Sequence, residues 1–187
     1  MADGELHIQI IQLDVTSAES VQSAAAEVEG QPIDILINNA GVGGARGQTI
    51  GNIDYGAWFE VLNVNTMGPL RVAEAFVENV ASSGRKLIAT ITSGMGSIAD
   101  NTSGRSIPYR SSKAAVNMVM RSVAIDLAPR GLTCVVVNPG WVKTDMGGPQ
   151  ATITPSESVT MMRRLFHELE PSRSGRFFNY DGQDYAW

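Results

Sequence analysis

The sequence predicts an α/β fold in which helices flank a parallel sheet. Short runs rich in Ile, Val and Leu alternate along the chain with longer segments whose apolar residues recur at three- and four-residue spacing. Each apolar run ends at a polar or glycine-containing turn, as strands buried on both faces do. The 187 residues, 43% hydrophobic and 18% charged, suffice for one globular domain with a sizeable core.

The first predicted strand spans residues 6–13, where Ile8, Ile10, Ile11 and Leu13 carry the pattern. A helix over 17–29 follows, opened by a capping hydroxyl, and a second strand spans 33–38. The helical segment 54–81 contains Asn65 in an otherwise apolar stretch, with Gly68 and Pro69 close behind. That combination predicts a kink, because proline removes a rung of the hydrogen-bond ladder. Strands over 86–92 and 132–138 bracket a helix over Ile107–Leu127, and a helix over 155–169 leads to a weaker strand at 175–180. No repeat or linker interrupts the alternation, so residues 1–187 read as one domain. The loops 41–51, 94–106 and 140–154 all follow strands, and ligands of open α/β sheets bind in the crevice outside the carboxyl ends of the strands.

Fourteen Lys and Arg against nineteen Asp and Glu give a net charge of −5, which disfavours nucleic acid and anionic membranes as partners. Met1-Ala2-Asp3-Gly4-Glu5 is acidic and unlike the start of a signal peptide, and no apolar stretch is long enough to span a bilayer. The one cysteine, Cys134, lies in an apolar run and has no internal partner, which points to a reducing interior and places the protein in the cytoplasm. His7 and His167 lack neighbours at ligand spacing, so no metal site is expected.

The chemistry concentrates in Tyr109-Arg110-Ser111-Ser112-Lys113. Positions i and i+4 share a helix face, so the Lys113 ammonium is expected beside the Tyr109 phenol, lowering its pKa and making it a usable proton donor and acceptor. Ser93 closes the strand 86–92 near the start of that helix, where its hydroxyl can hold a carbonyl oxygen. Asn38-Asn39-Ala40-Gly41 ends another strand in small residues that let a flat ligand approach the backbone. In order, Leu13-Asp14-Val15, Asn38-Asn39-Ala40-Gly41, Asn65, Ile91-Thr92-Ser93, Tyr109-x-x-x-Lys113 and Asn138-Pro139-Gly140-x-x-x-Thr144 resemble the classical short-chain dehydrogenases/reductases. The loops 95–104 and 139–149 and the closing Ser174-Gly175-Arg176-Phe177-Phe178 are similar to the C-factor (C-signal) and sniffer-type carbonyl reductase branch.

The resemblance implies a Rossmann-like fold and an NAD- or NADP-dependent enzyme acting on a small carbonyl or alcohol substrate. It implies Tyr109 as the acid/base, Lys113 lowering its pKa and bonding the nicotinamide ribose, Ser93 orienting the carbonyl, and Asn65 supporting a water-borne proton relay. It further implies Asp14 and Val15 near the adenine, Asn39, Ala40 and Gly41 near the adenosine-side ribose, and Pro139, Gly140, Val142 and Thr144 near the nicotinamide. The family's dimer-forming helices correspond to 54–81 and Ile107–Leu127, leaving room for a homodimer. What departs from the family is the start: the strand, Gly-rich turn and second strand expected before residue 6 are not seen, an N-terminal truncation that predicts weakened cofactor binding. It also predicts that residues 6–13 either pair directly with 33–38 or leave that edge open and apolar. The alternative function is a reductase remnant with impaired catalysis that acts as a C-factor-like signalling or interaction protein.

Overall fold

The computed structural model describes residues 7–45 and 47–187. Its centre is a four-stranded, wholly parallel sheet in the order β1-β2-β3-β4, formed by β1 (Ile35–Asn38), β2 (Leu87–Ile91), β3 (Thr133–Asn138) and β4 (Phe177–Asn179). Ile35 stands opposite Leu87, Leu87 opposite Thr133, and Val136 opposite Phe177. β3 is buried along its whole length, which is why its sequence is an unbroken apolar run rather than an alternating one.

Helices cross between the strands. α1 (Ala18–Glu27) is capped by Ser17, whose hydroxyl accepts from the Ser20 amide. α2 (Tyr55–Leu62) is capped by Asp54, α3 spans Gly68–Ala81, α4 spans Ile107–Leu127, and α5 (Pro155–Glu168) opens with a reciprocal capping box between Thr154 and Glu157. Between α2 and α3, residues Asn63–Met67 form a π-helical turn, so the irregularity predicted around Asn65, Gly68 and Pro69 is present as a widened turn. α3 and α4 cover one face of the sheet around Val80, Ile88, Val116, Met120, Val136 and Phe177. α5 covers the other through Leu165 and Phe166 against Leu87, Val135 and Phe178.

Residues 7–13 do not form the predicted strand; Leu6 lies outside the described residues. Ile11, Leu13 and Val15 pack with Val21, Ala24, Val72 and Phe76, while Ile8 and Ile10 are 80% and 92% exposed. The composition is strand-like, but a strand exists only where a neighbour supplies its ladder, and no described segment does so. Among the described residues no strand pairs with the outer side of β1, and Ile35 and Ile37 are 37% and 48% exposed.

Candidate active site

The carboxyl ends of the strands bring the chemistry-bearing residues together. Ser93 follows β2 directly, and its Oγ accepts a hydrogen bond from the Met95 amide at 3.1 Å, leaving its own proton free to donate. Gly94–Gly96 makes a single 3₁₀ turn that lays this segment against α4. A Cβ on Gly96 would sit 2.9–3.0 Å from the backbone of Lys113, so the close approach requires glycine.

On α4, Tyr109 and Lys113 share a face as predicted, with the Lys113 Nζ 5.8 Å from the centre of the Tyr109 ring. Lys113 is 5% exposed, and burial pushes its pKa down to about 8. Its Nζ donates one hydrogen bond, to the Ile91 carbonyl at 3.1 Å, and the remaining N–H bonds meet no acceptor among the described residues. The Tyr109 phenol differs from expectation: burial holds it above its ordinary value, and the influence opposing burial is the Ser93 hydroxyl rather than the lysine. Desolvation dominates because the ring is largely enclosed by protein, which disfavours the charged phenolate.

Asn65, 1% exposed, is presented by the π-helical turn. Its side chain grips the backbone of Val42 from both sides, the Oδ1 accepting from the amide at 2.8 Å and the Nδ2 donating to the carbonyl at 2.9 Å, and Nδ2 also donates to Ser112 Oγ at 3.0 Å. Asn65 thereby ties the loop after β1 to α4. Gly41 is the meeting point, since a Cβ there would lie 3.4 Å from Asn65 Oδ1 and 3.5 Å from Lys113 Nζ.

The residues expected around a dinucleotide divide into two groups. Asn39 and Ala40 line an apolar groove of about 270 Å³ together with Val15, Leu13 and Leu36. Val15 packs against Gly68 while Arg71 holds its carbonyl, and Asp14 is engaged by the Thr16 amide and hydroxyl, which lower its pKa. On the far side, the Pro139 carbonyl accepts from Ser158 Oγ, Val142 bridges to Ile153, and Thr144 Oγ1 accepts from the Gly147 amide. Gly140 has φ +83°, and a Cβ there would strike Ile153 and the Tyr180 ring at 2.6 and 2.9 Å.

These observations test the fit of a nicotinamide cofactor. A buried amine with free donors beside a side-chain-free Gly41 suits a ribose diol. The ribose on the nicotinamide side therefore fits the residues present. Among the described residues no group of three His, Cys, Asp or Glu could hold a metal ion, and no helix is long and apolar enough to cross a membrane.

Sequence reasoning passed over Asn138 as anything more than part of a motif. Its Oδ1 accepts from the Gly94 amide at 2.9 Å and the Gly140 amide at 3.3 Å, while its Nδ2 donates to Asn179 Oδ1 at 2.9 Å. One buried amide thus joins the Ser93 turn, the Gly140 loop and β4. Asn138→Ala orphans both amides and the Asn179 oxygen, and an expected loss of ~1–3 kcal/mol is measurable by urea unfolding. Ser112 was likewise missed, because its partner Asn65 is 47 residues away and nothing local marks the pair.

Residues 2–153 match the family model described as short chain dehydrogenase. The chain belongs to that family, a class of NAD(P)-dependent oxidoreductases. It is 44% identical over 167 residues to C-signal of Myxococcus xanthus, covering 89% of this chain and all of that relative. Among solved structures it is similar to an NADPH-bound carbonyl reductase from chicken fatty liver (36% identity, TM-score 0.88, 96% of this chain and 77% of that one). The carbonyl reductase Sniffer of D. melanogaster superposes equally well, at 32% identity and TM-score 0.88 over 94% of this chain and 77% of that one.

Proposed function

We propose that this protein reduces a small carbonyl compound to the alcohol with NADPH or NADH, using Tyr109, Ser93, Lys113 and Asn65. The observation that carries the reading is the buried Lys113 amine, 5.8 Å from the centre of the Tyr109 ring on the same face of α4. When bound, the nicotinamide supplies the hydride to the carbonyl carbon. The substrate oxygen accepts a hydrogen bond from Ser93 and takes its proton from Tyr109 as negative charge develops on it. Lys113 holds the ribose hydroxyls and passes the replacement proton to Tyr109, and Asn65 fixes the loop that carries Gly41. Pro139, Gly140, Val142 and Thr144 support the nicotinamide, Asn39, Ala40 and Gly41 the adenosine-side ribose, and Asp14 and Val15 the adenine.

The protein works in a reducing interior such as the cytoplasm, where the buried Cys134 thiol, its pKa pushed up to about 12, stays inert. It forms a homodimer through α2, α3 and α4, a reading supported by exposed Tyr55, Phe59, Met118 and Ile125 on α2 and α4.

Titration with NADPH and NADH, followed by fluorescence and thermal shift, tests the reading. Saturable binding that disappears in Lys113→Ala is the expected result. No shift up to millimolar cofactor, from a chain that melts cooperatively, overturns it. A second reading, a C-factor-like signalling or interaction protein without turnover, is favoured by the match along the whole of C-signal and predicts that negative result.

A further inference from the structure

The turn that follows Ser93 is held between two walls. One is α4, which Gly96 approaches so closely that a side chain would strike the Lys113 backbone. The other is a hairpin made by β4 and the residues that return along it. Phe178 bridges Asp184 in antiparallel fashion, the Asn179 amide donates to the Gln183 carbonyl at 2.8 Å, and the Tyr185 amide donates to the Phe177 carbonyl at 2.8 Å. The Asp184 carboxylate pairs with Arg173 at 3.2 Å and Arg176 at 2.9 Å, which fastens the return arm to the base of the hairpin.

Tyr185 is the side chain that this arm sets against the Ser93 turn. Its ring packs on the buried Phe177, with centroids 4.9 Å apart. Its hydroxyl lies over Gly94, where a Cβ would stand 2.7 Å from Tyr185 Oη. Gly94 thus meets the hairpin as Gly96 meets α4, and close packing on both sides leaves the turn little room to shift. The same hydroxyl donates to Asp100 Oδ2 at 2.9 Å. Burial, and after it the Asp100 carboxylate, holds the phenol above its ordinary pKa, so the hydroxyl keeps the proton it donates.

Asp100 closes the held segment. Ser97 Oγ accepts from the Asp100 amide at 3.0 Å, and the Trp187 main-chain oxygen accepts from the Ala99 amide at 2.9 Å and from Ser97 Oγ at 3.3 Å. Residues 94–100 are therefore fastened to the hairpin, whereas residues 101–106 beyond them are exposed.

We propose that Tyr185 is a positioning residue for Ser93, its hydroxyl acting as a clip that holds the Gly94 turn and the Asp100 end of the segment against α4. The proposal rests on the reductase reading, in which the Ser93 hydroxyl orients the substrate oxygen. Tyr185 touches none of the reacting atoms and acts through the turn alone. Misplacement of an orienting group by about 1 Å costs up to about 10²-fold in rate.

Tyr185→Phe removes the clip and leaves the ring on Phe177. With NADPH and a panel of hexanal, 2-hexanone and 2,3-hexanedione, kcat and kcat/KM are expected to fall together by about 10- to 100-fold, with KM and cofactor affinity at parental values. Asp100→Ala, at an exposed position that folding tolerates, is expected to give a similar loss, and the two changes together no more than either alone. Asp100→Asn keeps an accepting oxygen and is expected to stay close to the parent. Hydrogen exchange supplies a readout independent of turnover: peptides spanning 93–99 are expected to exchange faster in Tyr185→Phe and Asp100→Ala, and peptides of β3 at the parental rate. Unchanged exchange at 93–99 in both variants overturns the proposal whatever the parent's activity. So does faster exchange with undiminished kcat, and so does a loss that appears as weaker NADPH binding. A parent that reduces none of the three probes overturns the reductase reading and the role of the clip with it, and is told apart from the other failures by its own inactivity.

Discussion

Tyr109→Phe is expected to keep cofactor binding and lose turnover by about 10²–10⁴-fold, the range typical of a positioned general acid. The change removes one oxygen and leaves the ring, which lies along the Lys113 side of α4. The mechanism has no substitute for the lost proton: Ser93 can donate a hydrogen bond to the substrate oxygen, but its ordinary pKa makes it a poor acid. Stopped-flow measurement of hydride transfer alongside a cofactor titration separates the two effects. A variant that binds NADPH normally and still reduces its substrate at the parental rate removes Tyr109 from the chemistry.

Lys113→Met is expected to act in opposite directions on activity and stability. Activity falls because the ribose contact and the proton path to Tyr109 are both lost. Stability rises, because an amine whose folded pKa is about 8 against an ordinary 10.5 opposes folding while it is charged. That opposition is present in full below about pH 8 and fades as the pH climbs from about 8 toward 10.5. Its upper bound is ~3 kcal/mol, reduced by the hydrogen bond to the Ile91 carbonyl that methionine cannot make. Thermal melts should therefore show the variant above the parent at pH 7, with the gap closing as pH rises. A variant that melts below its parent throughout that range contradicts the assignment of Lys113 as a buried, costly cation.

The regular elements were legible because their causes are local. Ser17 and Asp54 cap the helices they precede, the apolar run of β3 announces a strand buried on both faces, and Asn65 with Gly68 and Pro69 announces a disturbed turn. Residues 7–13 were misread for a complementary reason: β-branched composition reports fitness for a sheet, whereas membership depends on a neighbour elsewhere in the chain. The pairing of Tyr109 with Lys113 was legible from helix periodicity, but the direction of the phenol's shift was not. That direction is set by how much protein closes over the ring, which no spacing encodes. The role of Asn138 was hidden because Gly94 and Asn179 lie 44 and 41 residues away, on the turn after β2 and at the end of β4.

The π-helical turn also bears on how the site could arise and be lost. Each residue of an α-helix advances about 100° around the axis, so inserting one residue would ordinarily rotate everything after it out of phase. A widened turn absorbs the additional residue locally, and α3 continues with Val72, Ala73, Phe76 and Val80 still directed inward. The polar anchor at Asn65 is therefore separable from the packing code of the helix that carries it. Deleting one residue between Asn63 and Met67 would remove the anchor and leave a continuous helix that folds, whereas the same deletion two turns later would misdirect the core.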